Sequence, residues 1–248
     1  MEAGQRFSLI GPGRAGRSLA AALVDVGWEQ SRIYRRGDDL TDAATDVDVC
    51  VIAVPDRSIS SVARGVGPGD AVVVHLSGAT PLSALGTEHT AAALHPLQSL
   101  ADPESGRMAL RDAFFAVAGH TIARDIAQQI SGKWFEIDDS DRALYHCAAA
   151  IASNHTVALL GQVERIATEV GVPLAAFEPL VRASLNNAFS LGPVEALTGP
   201  AARGDSATLE AHRAALGARH PNELHAYDAL VELAQQLAAS TPDDKGHE

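Results

Sequence analysis

The chain has 248 residues, 46% hydrophobic and 20% charged, an ordinary balance for a globular protein with core enough for one large or two modest domains. Its net charge of −12 argues against general binding to nucleic acid or anionic membrane, which need basic surface, yet leaves room for an anionic small molecule held by a few arginines. No stretch is long and apolar enough to span a bilayer and no signal-peptide core opens the chain, so a cytoplasmic protein is expected. Cys50 and Cys147 lack CxxC spacing and are expected to be buried free thiols, and no metal site is expected.

In chain order, Phe7 to Ile10 reads as a strand buried on both faces, and Arg17 to Leu23 as a helix with Leu19 and Leu23 four apart. Between them runs Gly11-Pro12-Gly13-Arg14-Ala15-Gly16, the G-x-G-x-x-G pattern in the strand–turn–helix context that dinucleotide binding requires. Gly11 allows the tight turn, Gly13 lets a pyrophosphate approach the backbone, and Gly16 lets helix and strand pack closely. Free N–H groups and the positive dipole end of the helix then face the phosphates, and Arg14 adds a further possible contact. A purely structural turn is the alternative. Ser31 to Tyr34 reads as the second strand, ending in Arg35-Arg36-Gly37. An acid at that place would bind the ribose 2′-hydroxyl of NAD, whereas arginine accommodates the 2′-phosphate of NADP, so NADP(H) is favoured over NAD. A solvated surface turn is the bland alternative.

Val47 to Val54 is a further strand, ending in Pro55-Asp56, with a short helix over Ser58 to Ala63. Ala71 to Leu76 is another, ending in Ser77-Gly78, with Pro81 suited to the first turn of a following helix. Ala91 to Leu94 leads to a strand end at His95-Pro96. Ala113 to Ala118 and Trp134 to Ile137 complete the set around a helix at Ala123 to Ile130. Strands alternating with helices predict an α/β fold with a mostly parallel, doubly wound sheet and ligands at the carboxyl ends of its strands. Val54, Pro55, Ser77, Gly78, His95 and Pro96 are therefore the strand-end residues to watch, all but Pro96 as candidate cofactor-site residues, with His95 equally readable as a histidine satisfying loop carbonyls.

From Asp141 to Val170 the chain reads as one long helix ending at Gly171-Val172-Pro173. His146, Ala150 and Asn154 fall on one face at i, i+4 and i+8, with Ser153 on the neighbouring stripe. These polar groups on an alanine-rich face need partners, either a substrate or a neighbouring helix. Leu174 to Gly192 reads as one or two helices, 196–205 as a binding loop containing Arg203, and 207–216 and 223–237 as closing helices. Arg203 could clamp a substrate carboxylate or pair with Asp205. The expected division is a Rossmann-like domain over 1–138, an all-helical substrate and dimerisation domain over 139–240, and a disordered tail over 241–248.

The glycine loop, Leu76-Ser77-Gly78-Ala79, Leu94 to Ser99, Tyr145-His146 through Asn154, and Leu197 to Pro200 with Arg203-Gly204-Asp205 together resemble one family. It pairs a Rossmann-like domain with a C-terminal domain of unknown function numbered 2520 (DUF2520). The resemblance spans nearly the whole chain. It implies an NADP-dependent oxidoreductase, more distantly similar to ketopantoate reductase, pyrroline-5-carboxylate reductase and the 6-phosphogluconate/β-hydroxyacid dehydrogenases. In two of those relatives, ketopantoate reductase and the β-hydroxyacid dehydrogenases, a catalytic lysine precedes an asparagine by four residues. Asn154 fits the asparagine, but Ala150 stands at the lysine position. His146, one turn earlier, is the expected replacement as proton donor, with His95 its competitor. The reading is hydride transfer to or from a small keto acid or imine between the domains. Ser153 and Asn154 would orient that substrate and Arg203 would bind its carboxylate, in a homodimer formed through the helical domain. A non-catalytic NADP(H)-binding regulator or scaffold is the alternative.

Overall fold

A computed structural model describes residues 4–240, and the tail over 241–248, expected to be disordered, lies outside the described residues. Contacts divide the chain into two compact units, Met1–Ser153 and Asn154–Glu248.

The first unit is a Rossmann-like α/β fold. Its sheet contains β1 (Arg6–Ile10), β2 (Glu29–Tyr34), β3 (Val49–Ile52), β4 (Val72–His75), β5 (Ala91–Leu97), β6 (Phe114–Gly119) and β7 (Trp134–Glu136), in the order β2-β1-β3-β4-β5-β6-β7. Only the β5–β6 pairing is antiparallel. The helices are α1 (Arg14–Asp25), α2 (Asp56–Ala63), α3 (Pro103–Leu110), α4 (Ile122–Ile130) and α5 (Arg142–Ala150). Side chains alternate along each strand, so the sheet buries one set on each face. Phe7, Leu9, Val49, Val51, Val72 and Val74 join one apolar layer, while Ile10, Cys50, Ile52 and Val73 join the other. Both faces being covered explains why these strands read as continuous apolar runs.

Several details differ from the sequence reading. Helix α3 was not expected, although Asp102 caps it by accepting from the Glu104 and Ser105 N–H groups and Pro103 fills its first turn. A short 3-10 turn, Leu82–Leu85, follows Pro81 in place of a full helix. Strand β5 runs on through His95 and Pro96 to Leu97, because β6 pairs with it on its antiparallel side as far as Phe114. Cys50 is buried as expected, but Cys147 is exposed on α5.

The second unit is all helical: α6 (Thr156–Glu169), α7 (Glu178–Leu191), α8 (Pro193–Ala196), α9 (Pro200–Arg203), α10 (Ser206–Arg219) and α11 (Leu224–Ala239). The segment expected to be a loop at 196–205 contains α9, begun by Pro200 and closed by Gly204 in the left-handed region. The expected single helix from 141 to 170 is α5 and α6 joined by a π-helical turn, Ile151–His155. Such a turn widens the helix locally, so the four-residue spacing that put His146 and Asn154 on one face does not carry through it.

Candidate functional site

The carboxyl edge of the sheet carries two groups of residues. The first forms at the switch point where β2 lies on one side of β1 and β3 on the other, the crevice position of doubly wound sheets. A cleft of about 540 Å³ there is lined by Gly11, Pro12, Gly13, Arg35, Arg36, Val54 and Pro55, all expected from sequence. Asp38, Leu40, Ser58, Ser61 and Val62 also line it and were not. Gly11 sits at φ 89°, and a Cβ there would meet the Ala53 carbonyl oxygen at 2.7 Å. A Cβ on Gly16 would meet the Gly11 carbonyl oxygen at 2.6 Å, so helix α1 packs directly on the strand turn. Gly13 differs: a Cβ there would have nothing within 4 Å. Its φ of −73° is ordinary, so folding alone does not demand glycine there.

No side chain caps α1, leaving first-turn N–H groups directed toward the loop. Arg14 and Ala15 begin that helix outside the cleft lining, and Gly16 is buried beneath it. Arg35 and Arg36 are exposed at the end of β2, and neither guanidinium is paired with a carboxylate among the described residues. The nearby Asp38 instead accepts the Arg35 backbone N–H at 2.7 Å.

The second group surrounds the turn after β4. The register pairs Ile10 with Ile52, Ile52 with His75 and His75 with Ala93. Pro12, Val54, Ser77 and His95 each follow these paired residues by two positions in sequence, at the carboxyl edge of the sheet. Ser77 and Gly78 are buried, and the Ser77 hydroxyl accepts from the Ala79 and Thr80 N–H groups at 3.2 and 3.0 Å. Gly78 is required by space: a Cβ would meet His146 Cδ2 at 2.8 Å and His95 Cε1 at 2.9 Å. The His95 and His146 rings are 5.9 Å apart, edge to face, so the two histidines suggested as rival proton donors are neighbours. His95 Nδ1 lies 2.7 Å from the Tyr145 hydroxyl.

Arg142, which is 0% exposed, ties this turn to α5. Its Nε donates to Asp139 at 2.8 Å and its Nη1 to the Ser77 carbonyl at 3.4 Å, while Asp139 also accepts the Leu82 N–H at 2.9 Å. Burial pushes the His95 imidazole down to about 4, helped by His146 and Arg142 and opposed by Asp56. His75, fully buried, is likewise pushed down to about 4 by burial, by Arg142 and by His95, against Asp139 and Asp56. Burial raises the Tyr145 phenol to about 12, against a small opposing pull from Arg142. At neutral pH His75 and His95 are therefore uncharged and Tyr145 keeps its hydrogen.

The remaining expected residues stand elsewhere. Ser153 donates its hydroxyl to the Ala149 carbonyl at 2.8 Å. Asn154 opens the second unit, and Arg203 is exposed at the end of α9. Asp205 caps α10 by accepting from the Thr208 N–H at 3.1 Å and its hydroxyl at 2.7 Å. Arg142, Asp139, His75 and Tyr145 had been given no role from sequence. Tyr145 adjoins His146, but nothing local to it signals a partner fifty residues away.

Residues 115–234 match the family model described as Domain of unknown function (DUF2520). The sequence matches none of the curated proteins. Among solved structures, a Bacteroides fragilis protein assigned as an NADP oxidoreductase is 19% identical, with 94% of this chain and 98% of that one covered and a TM-score of 0.82. A Thermotoga maritima protein is 28% identical over 94% of this chain and 98% of its own, at a TM-score of 0.73. Plasmodium falciparum pyrroline carboxylate reductase, solved with NADP bound, is 12% identical over 96% and 100%, at a TM-score of 0.61. These likenesses establish the fold.

Proposed function

We propose that this chain, whose residues 115–234 match DUF2520 and whose first unit is Rossmann-like, is an NADP(H)-dependent oxidoreductase acting on a small keto acid or imine. The observation that carries the reading is one cleft at the switch point holding the glycine turn, Arg35 and Arg36 together. Its chemistry fits the cofactor. Open space over Gly13 and an uncapped helix end suit a pyrophosphate. Two guanidinium groups at the end of β2, paired with no carboxylate among the described residues, suit a 2′-phosphate. Leu40 and Val62 offer apolar contact in the same cleft. The NADP bound by the pyrroline carboxylate reductase neighbour agrees with this choice.

Reduced nicotinamide, when bound, supplies a hydride to the carbonyl or imine carbon. The chain's residues do the rest. Ser77, Gly78 and His95 lie at the carboxyl edge of the same sheet, where a substrate beside the nicotinamide would be held. His146 is the proton donor to the oxygen or nitrogen as the hydride arrives. His95, kept neutral by burial, is not the charged acid at neutral pH. The large side chains left exposed on α6 and α7, Val157 at 69%, Leu180 at 63% and Phe189 at 89%, support a homodimer through the helical unit.

The test mixes protein, NADPH and a panel of keto acids and cyclic imines, and follows the absorbance of the reduced nicotinamide. Oxidation lost in His146→Ala but kept in His95→Ala supports the assignment, and the reverse pattern contradicts it. Tight NADPH binding with no turnover across the panel would instead point to a regulator.

A further inference from the structure

The His95–Tyr145 contact has no part in the proton transfer assigned to His146. It joins strand to helix, since His95 belongs to β5 and Tyr145 to α5. The rings meet edge to face with centroids 5.5 Å apart at 83°, and Phe135 of β7 packs edge-on against Tyr145 at 5.7 Å. The 2.7 Å separation admits two arrangements. In one, Nδ1–H donates to the phenol oxygen, and the phenol's own hydrogen then needs a second acceptor. No other hydrogen bond to that hydroxyl exists among the described residues. In the other, the phenol O–H donates to a bare Nδ1, which pairs the more acidic donor with the more basic acceptor and is the stronger bond. Burial keeps both groups uncharged, with Arg142 and His146 of α5, Asp56 of α2 and His75 of β4 the charged or titratable groups bearing on His95. A neutral imidazole whose Nδ1 accepts must carry its single hydrogen on Nε2.

We propose that Tyr145 is a positioning residue: its hydroxyl donates to Nδ1 of His95 and fixes that ring as the neutral Nε2–H tautomer, a hydrogen-bond donor held beside Gly78. For its purpose this rests on the reductase reading, in which an Nε2–H donor next to His146 would orient and polarise the carbonyl or imine. The crowding at Gly78 then has a reason, because the 2.9 Å gap left for a Cβ holds the His95 ring edge against the Ser77–Gly78 turn.

The test is nitrogen NMR of the ligand-free protein labelled in histidine, with His95 assigned by the signals lost in His95→Gln. At pH 7 His95 is expected to show a pyridine-type Nδ1 and a pyrrole-type Nε2, and to stay neutral until the pH nears 4. Tyr145→Phe keeps the ring and its contact with Phe135 but removes the donor. His95 should then lose its single-tautomer pattern and titrate at higher pH, because the bond that favoured its neutral form is gone. An unchanged far-ultraviolet circular dichroism spectrum of Tyr145→Phe shows that the fold is intact. A pyrrole-type Nδ1 in the wild-type protein overturns the proposal whether or not the variant folds. So do nitrogen shifts that Tyr145→Phe leaves unchanged. Absence of NADPH binding would remove the reductase reading without altering these spectra, so the two can fail separately.

Discussion

Replacing the three loop glycines one at a time separates a cofactor site from a structural turn. Gly11→Ala places a methyl in the left-handed region at φ 89° and 2.7 Å from the Ala53 carbonyl oxygen. Backbone strain of about 1–2 kcal/mol and overpacking of about 1–3 kcal/mol together destabilise the fold by roughly 2–5 kcal/mol. That lowers Tm by on the order of 10 °C for a protein of this size. Gly16→Ala, at 2.6 Å from the Gly11 carbonyl oxygen, carries the overpacking part alone. Gly13→Ala meets nothing within 4 Å at an ordinary φ, so its stability should stay within about 0.5 kcal/mol of wild type. Yet its methyl stands where a pyrophosphate must approach. Losing one charge-assisted hydrogen bond is about 1.5–3 kcal/mol, roughly a ten- to hundredfold rise in the NADPH dissociation constant. Thermal melts and fluorescence titration with NADPH read the two effects independently. Unchanged NADPH affinity in a well-folded Gly13→Ala would refute the placement of the pyrophosphate on this turn.

Other perturbations probe the rest of the site. Arg35→Ala combined with Arg36→Ala should weaken NADP roughly ten- to hundredfold while changing NAD little; equal loss for both, in parallel titrations, would contradict a 2′-phosphate contact. Gly78→Ala forces a methyl between His146 and His95 and should destabilise by about 1–3 kcal/mol while lowering kcat, with NADPH affinity nearly unchanged. Acid should also weaken the fold through His75. Its folded-state value lies below the ordinary one, so the unfolded chain takes up the proton first as pH falls from about 6.5 to about 4. Stability is therefore full above that window and falls as the pH drops through it, by on the order of 2–3 kcal/mol between pH 7 and pH 4.5. His75→Asn, which keeps an acceptor for the Ser77 N–H, should remove that part of the pH dependence in urea melts.

Much of this was legible in the residues themselves. Both-face burial makes apolar runs such as Val49–Ile52 and Val72–Val74, and such strands interspersed with helices read as a mostly parallel sheet. The glycine spacing and the arginines after β2 could be placed because they act through local backbone geometry and sequence-adjacent strand ends. The long-range parts could not. The Arg142–Asp139–Ser77 tie and the Tyr145–His95 bond join positions fifty or more residues apart in the case of Ser77 and His95, and nothing local in either segment names the other. The π turn at Ile151–His155 was equally hidden, since no Pro or Gly marks it and helical spacing assumes it away. Cys147 was misplaced because an alanine-rich helix is apolar by composition whether or not it is covered.

The central claim is that the cleft between Gly11, Arg35 and Pro55 takes NADP(H). Fluorescence titration of the purified chain with NADPH and NADH tests it most directly. Saturable NADPH binding at least tenfold tighter than NADH, lost together with Arg35 and Arg36, is the predicted result. Binding of neither nucleotide by the folded protein would contradict it.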